Sequence, residues 1–164
     1  MLKITRRADH HHGTVTDTVL LPYELRQKGR FKAKSTAGQD VGIFLVRGEV
    51  LREGDFLFSE CGQILAVKAE PESVVTAVAT DWLTFSKVCY HLGNRHVPMA
   101  IGEQWLRFQP DHVLEEMVQM FGLTVRHHLA PFNPESGAYH GGHHSHEHGH
   151  SDQSHNHGEE GHTH

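Results

Sequence analysis

The alternation of apolar and polar positions changes character twice along this chain. Up to about residue 72 the apolar positions come in short runs. Thr14 to Leu21 mixes β-branched and polar residues, Arg30 to Lys34 follows Gly29, and Val41 to Val46 is an apolar run with glycines around it. Asp55 to Phe58 and Gln63 to Lys68 flank Cys61-Gly62. Runs of this length separated by turn residues predict strands, with a hairpin turn at Cys61-Gly62. Several short strands in succession suggest a small barrel or sandwich.

The pattern breaks at Ala69-Glu70-Pro71-Glu72, and Val74 to Ala79 then reads as an apolar strand. Beyond it, Trp82, Phe85, Val88, Cys89 and Leu92 fall on one side of a 3.6-residue repeat, which predicts a helix. The Asp81 carboxylate is placed to cap its first turn. Gly93 is placed to end it in a left-handed conformation. Val97 to Ile101 and Gln104 to Phe108 predict two short strands around Gly102-Glu103. Asp111 opens a second helix with Val113, Leu114, Met117 and Phe121 on its apolar side. Gly122 stops it, and Leu123 to Leu129 is a last strand. The order β-α-β-β-α-β is the ferredoxin-like arrangement, with both helices on one face of the sheet.

From Pro131 the apolar residues run out. A segment with so little to bury cannot offset its ordering entropy, so it is expected to be disordered without metal. The fold class is therefore α+β in three parts. A small all-β domain covers residues 1–72, a ferredoxin-like domain covers 73–134, and a histidine-rich tail covers 135–164.

Charge and composition narrow the function. The net charge is −5 with histidine neutral, so nothing points to nucleic acid. The 18 histidines outnumber the 15 Lys and Arg, so charge and metal capacity both swing with mild acid. The two cysteines, Cys61 and Cys89, form no Cys-x-x-Cys, which argues against a disulfide framework and a thiolate zinc site. Cys61 is assigned no role, and Cys89 belongs to a helix core. The first residues have no apolar h-region, so no signal peptide is expected. No apolar run approaches the ~20 residues of a membrane helix, and a reducing cytoplasm is the simplest home.

Ten histidines lie in the last part: His140, His143, His144, His146, His148, His150, His155, His157, His162 and His164. Paired and alternating imidazoles on a flexible chain can wrap a borderline divalent ion such as nickel, copper or zinc, without choosing among them. His96 lies past the helix stop, with Pro98 two places on. It is either a metal ligand or a helix-terminal histidine bonded to the last carbonyls. His91, one turn earlier, either supports a ligand by a hydrogen bond from behind or is a satisfied structural histidine. Asp111 caps the second helix and backs His112, which shares the polar face with Glu115 and Gln119. His127 and His128 alternate across the last strand, so at most one can face a metal. His10, His11 and His12 sit in a polar turn and cannot all aim at one ion. No paired carboxylates, nucleophile–base pair or phosphate loop is present, so no enzyme is expected.

Four ordered motifs carry a resemblance. The run Tyr90-His91-Leu92-Gly93-Asn94-Arg95-His96-Val97-Pro98 is similar to the central motif of the urease accessory protein family UreE. Asp111-His112-Val113-Leu114, Pro134-Glu135-Ser136-Gly137-Ala138-Tyr139 and the histidine-rich end extend the match from Val74 to the C-terminus. The resemblance implies a nickel metallochaperone that delivers Ni²⁺ to apo-urease. It implies a homodimer in which two copies of His96 share one ion, with tail histidines completing the site. Zn²⁺ or Cu²⁺ can occupy the same nitrogens. It further implies an accessory GTPase and, through it, apo-urease as partners, and an N-terminal domain similar to the peptide-binding domain of J-type co-chaperones. Some members carry a second histidine two places before the equivalent of His112; Pro110 stands there in this chain. The alternative is a passive histidine-rich metal store in which His96 is incidental.

Overall fold

The structure is a computed structural model that describes residues 1–136. Six strands make the first sheet: β1 (Leu2–Ala8), β2 (Asp17–Leu21), β3 (Arg30–Lys34), β4 (Asp40–Phe44), β5 (Phe56–Ser59) and β6 (Ile64–Ala69). Their order is β2-β6-β5-β1-β4-β3. A bridge between Val19 and Ser35 draws the two ends of the sheet together, so of the barrel or sandwich expected, the barrel is the one that forms. Leu2, Ile4, Val19, Leu21, Val41, Ile43, Leu57 and Leu65 fill it, each buried side chain contributing about 1.5–3 kcal/mol. The Cys61-Gly62 turn is as read: Gly62 has φ +87° and Ser59 N–H donates to Gln63 O at 3.0 Å.

Besides strand β1, which the sequence reading did not delimit, two features of this part were not foreseen. The pairs β1–β4 and β2–β6 are parallel. A single helical turn, α1 (Tyr23–Arg26), follows Pro22, too short to show any periodicity.

The second sheet is built from β7 (Pro71–Val78), β8 (Ala100–Gly102), β9 (Trp105–Phe108) and β10 (Thr124–Pro131), with α2 (Trp82–Gly93) and α3 (His112–Met120) between strands. The sheet is antiparallel in the order β10-β7-β9-β8, the ferredoxin-like arrangement. Phe85, Val88 and Leu92 of α2 and Leu114 and Val118 of α3 pack on Val75, Ala77, Leu106 and Phe108, which places both helices on one face. Both caps form. Asp81 Oδ1 accepts from Thr84 N–H at 2.9 Å, and Asp111 Oδ1 accepts from Val113 and Leu114 N–H at 2.9 and 3.1 Å.

Three expectations are corrected here. Trp82 is 54% exposed, its ring edge-on to Phe85, which takes the inward place. Gly93 is the last helical residue and is not left-handed. Val97 to Met99 is not strand, because β8 begins only at Ala100.

The other face of the second sheet meets the barrel. Val74, Ala100, Ala130 and Phe132 form a third apolar cluster with Tyr23 and Trp105 against them. Arg26 of α1 is buried there at 2% exposure. Its Nε donates to Leu21 O at 3.1 Å, Nη1 to Asn133 Oδ1 at 3.0 Å and Nη2 to Phe132 O.

Candidate metal centre

The end of α2 explains how His96 is presented. Asn94 N–H still bonds Tyr90 O, but Arg95 and His96 donate to Leu92 O and Gly93 O at 3.0 and 3.2 Å, a tightened last turn. His96 then adopts φ +53°, a left-handed conformation that costs a residue with a Cβ about 1–2 kcal/mol. The chain leaves at an angle, Pro98 restricts it, and the imidazole stands exposed. Among the described residues it bonds no carbonyl of the last helical turn, so the helix-terminal role is not the one found. Val97 and Met99 pack into the core just beyond it, which anchors the loop.

The other histidines disperse. His91 stacks on Phe121 at 5.0 Å and edge-on to Tyr90 at 5.4 Å, a strut between α2 and the end of α3. His112 is exposed at the start of α3, held by the Asp111 cap. His127 and His128 take opposite faces of β10, as alternation requires. His127 Nε2 lies 2.8 Å from Glu115 Oε2, and His128 Nε2 lies 3.5 Å from Thr76 Oγ1. His10 and His12 are exposed, whereas the His11 ring lies tilted against Phe56, with centroids 4.1 Å apart. The thiols do not converge on His96 either. Burial pushes the Cys89 thiol pKa up, and the Ser59 hydroxyl holds that of exposed Cys61 down. Among the described residues no three His, Cys, Asp or Glu side chains are grouped to hold an ion. His140, His143, His144, His146, His148 and His150 lie outside the described residues.

One positioning element escaped the sequence reading. After β10, Phe132 is fully buried, and Glu135 N–H donates to Met99 O at 2.8 Å. Met99 is three residues from His96. This strap, residues 132–135, therefore ends beside the histidine loop. The segment from Pro131 was expected to be disordered, so the strap was missed; lone apolar Phe132 among polar residues was the available signal.

Two surfaces complete the description. Exposed Leu83 (66%) and Tyr90 (69%) share the outer side of α2 with Lys87 and Asn94, leading toward the loop. A cleft of about 790 Å³ lies at the junction of the sheets, lined by Arg7, Tyr23, Arg26, Leu51, Asn133 and Ser136 among others, with no histidine in its wall. Among the described residues no helix is long and apolar enough to cross a membrane.

Comparison with known proteins agrees with the motifs. Residues 2–70 match the N-terminal domain of the UreE urease accessory protein, and residues 72–164 match its C-terminal domain. The chain is 49% identical over 146 residues to the urease accessory protein UreE of Alteromonas mediterranea, covering 89% of this chain and 95% of that one. It is 49% identical over 151 residues to that of Psychromonas ingrahamii, covering 90% and 99%. It is 51% identical over 147 residues to that of a Marinomonas species, covering 89% and 100%. With both domain families matched in order and the relatives covered almost end to end, the chain belongs to the UreE urease accessory protein family.

Proposed function

We infer that this protein is a nickel metallochaperone for urease assembly, working as a homodimer in the cytoplasm with an accessory GTPase and apo-urease as its partners. It makes and breaks no covalent bond. The chain divides its labour among residues 1–72, 73–134 and 135–164. Tail histidines His140, His143, His144, His146, His148 and His150 capture Ni²⁺ and raise its local concentration, while His112 serves as a peripheral ligand. His96 is the fixed site, with His91 bracing its helix and Asp111 capping the helix that carries His112. Zn²⁺ and Cu²⁺ suit the same imidazoles.

The bond from Glu135 N–H to Met99 O carries this reading. It sets the start of the tail three residues from His96. The five residues from Glu135 to His140 can span up to about 17 Å, so a tail nitrogen can reach His96 of its own chain. One imidazole is a poor site, and a two-fold axis supplies a second copy without further sequence. The exposed apolar side of α2 beside the loop is a surface such an axis can cover.

The test is nickel titration, with mass by light scattering, of protein ending at Gly137 and of the same chain carrying His96→Ala. The shortened protein binds about one tight ion per dimer, and the substitution removes it. A tight half-stoichiometric ion surviving in the variant would refute the site. Loss of all binding on shortening would favour the passive store.

A further inference from the structure

The face of the second sheet turned away from the helices is only partly covered. Val74, Ala100 and Ala130 meet the barrel, but Val78, farther along β7, is 46% exposed. Between them, Thr76 of β7 is flanked in register by Arg107 of β9 and Arg126 of β10. Neighbouring strands lie about 4.8 Å apart, so the two arginine backbones stand roughly 10 Å from each other, and their side chains can reach one ligand. The Arg107 guanidinium is held in place. Its Nε donates to Thr76 Oγ1 at 3.0 Å and its Nη1 to Pro131 O at 3.1 Å, and it lies 4.9 Å from the centre of the Trp105 ring. Trp105 is fixed in turn, because its indole lies so close over Gly102 that a Cβ there would collide with it. Among the described residues Arg107 Nη2 bonds nothing, and Arg126 is exposed. Neither arginine pairs with a carboxylate among those residues. Glu72, on the same face, accepts from Tyr23 N–H and Gln109 Nε2 and lies four residues along β7 from Thr76, about 13 Å away. Burial first, and then the Arg126 charge, pull the Arg107 pKa down. Residues 71–136 carry seven acidic side chains and only four basic ones, yet two of the four stand together here.

We propose that this face docks an acidic segment of a partner protein, with Arg107 and Arg126 taking its carboxylates and Val78 and Trp105 lining its path. A guanidinium held at a fixed angle meets a carboxylate with two parallel hydrogen bonds, which a lysine cannot do. The face is flat, open and edged with apolar side chains, which suits an extended chain better than a small free anion. Nucleic acid would meet a small positive spot on a chain whose net charge is −5, so a short acidic segment is the better complement. The contact needs no nickel and stands apart from His96.

The experiment uses metal-free full-length protein at about pH 8, where free imidazole is neutral. The probe is fluorescein-labelled hexaglutamate, read by anisotropy, with unlabelled hexaglutamate, a thymidylate oligonucleotide and inorganic phosphate as competitors. The peptide binds at low ionic strength and weakens as salt approaches about 0.15 M, where charges are screened beyond about 8 Å. Arg126→Gln weakens it about threefold, as for an exposed pair. Arg107→Lys keeps the charge but loses the fork, and weakens it about tenfold. Lys68→Gln, at an exposed cation of the first sheet, changes nothing. If Arg107→Lys does not fold, the comparison of Arg126→Gln with Lys68→Gln decides alone. A wild-type protein that does not bind the peptide, a loss in Lys68→Gln equal to that in Arg126→Gln, or an Arg107→Lys protein that binds as tightly as wild type would each overturn the proposal. So would displacement by the oligonucleotide or by phosphate at lower concentration than by unlabelled hexaglutamate, since the face would then take phosphate and not a protein segment.

Discussion

His96→Gly should stabilise the metal-free protein while removing its tight ion. At φ +53° the His96 Cβ crowds the following carbonyl, at about 1–2 kcal/mol for an L residue. Histidine is among the side chains better tolerated there, so the lower end applies. Glycine relieves the strain and gives back about 0.5–1 kcal/mol through its freer unfolded chain. The net gain is up to about 0.5 kcal/mol, and for a chain this long 1 kcal/mol moves the melting temperature by roughly 2–4 °C. A small rise, of at most about 2 °C, is therefore expected. His96→Ala keeps the Cβ and loses the tolerated side chain, so it melts at or slightly below wild type. Gln104, at φ +56° in the β8–β9 turn, is the control: Gln104→Gly gives a similar rise and keeps the ion. Scanning calorimetry with chelator at one protein concentration measures all four proteins, because the melting of any chain that associates depends on concentration. If His96→Gly melts at or below wild type while Gln104→Gly rises, the loop is not strained at His96 and the reasoning fails.

Other outcomes are open to direct measurement. Removal of residues 138–164 leaves the melting temperature within about 2 °C of wild type, because all three apolar clusters are kept; a collapse on calorimetry would show that the tail packs. Nickel capacity falls steeply between about pH 7 and 5, since each imidazole, pKa near 6.5 when free, must be neutral to bind; equilibrium dialysis showing undiminished capacity at pH 5 would assign binding to carboxylates. The Asp81 carboxylate is held below its ordinary pKa, first by the Thr84 backbone N–H, so its folded pKa lies under its unfolded one. Its support of α2 is complete above about pH 4 and is lost as pH falls through the lowered value. Asp81→Asn should flatten that limb of the acid melting curve, and an unchanged limb would remove Asp81 from it.

What the sequence disclosed depended on how local the cause was. The caps at Asp81 and Asp111, the turn at Gly62 and most of the stripes of α2 and α3 are set by neighbours within a turn or two and were legible, whereas Trp82 and Val113, placed on those stripes, stand exposed. Strand β1 was obscured by the pair Arg6-Arg7 and by the register shift between Ile4 and Arg6, which breaks the alternation. Helix α1 hid because one turn has no period, and because Arg26 reads as a surface residue until partners more than a hundred positions away are known. The left-handed turn was placed at Gly93 since glycine bears it best, whereas the chain turns at His96. Of the candidate site, the motif pointed to His96, but its link to the strap is a contact between Met99 and Glu135 that no local pattern encodes.

The ladder between β7 and β10 sets an order of events during synthesis. Its register runs from Val78 with Thr124 to Pro71 with Pro131, so the first strand of the second sheet waits for the last. The barrel has every strand it needs once Ala69 has emerged. At about 5–20 residues per second, the 62 residues from Ala69 to Pro131 take roughly 3–12 s. Through that interval Val74 and Val75, fully buried when folding is done, have no β10 beside them. Arg26 meanwhile waits in a finished barrel for Phe132, and the grip on the strap closes only when the second sheet does.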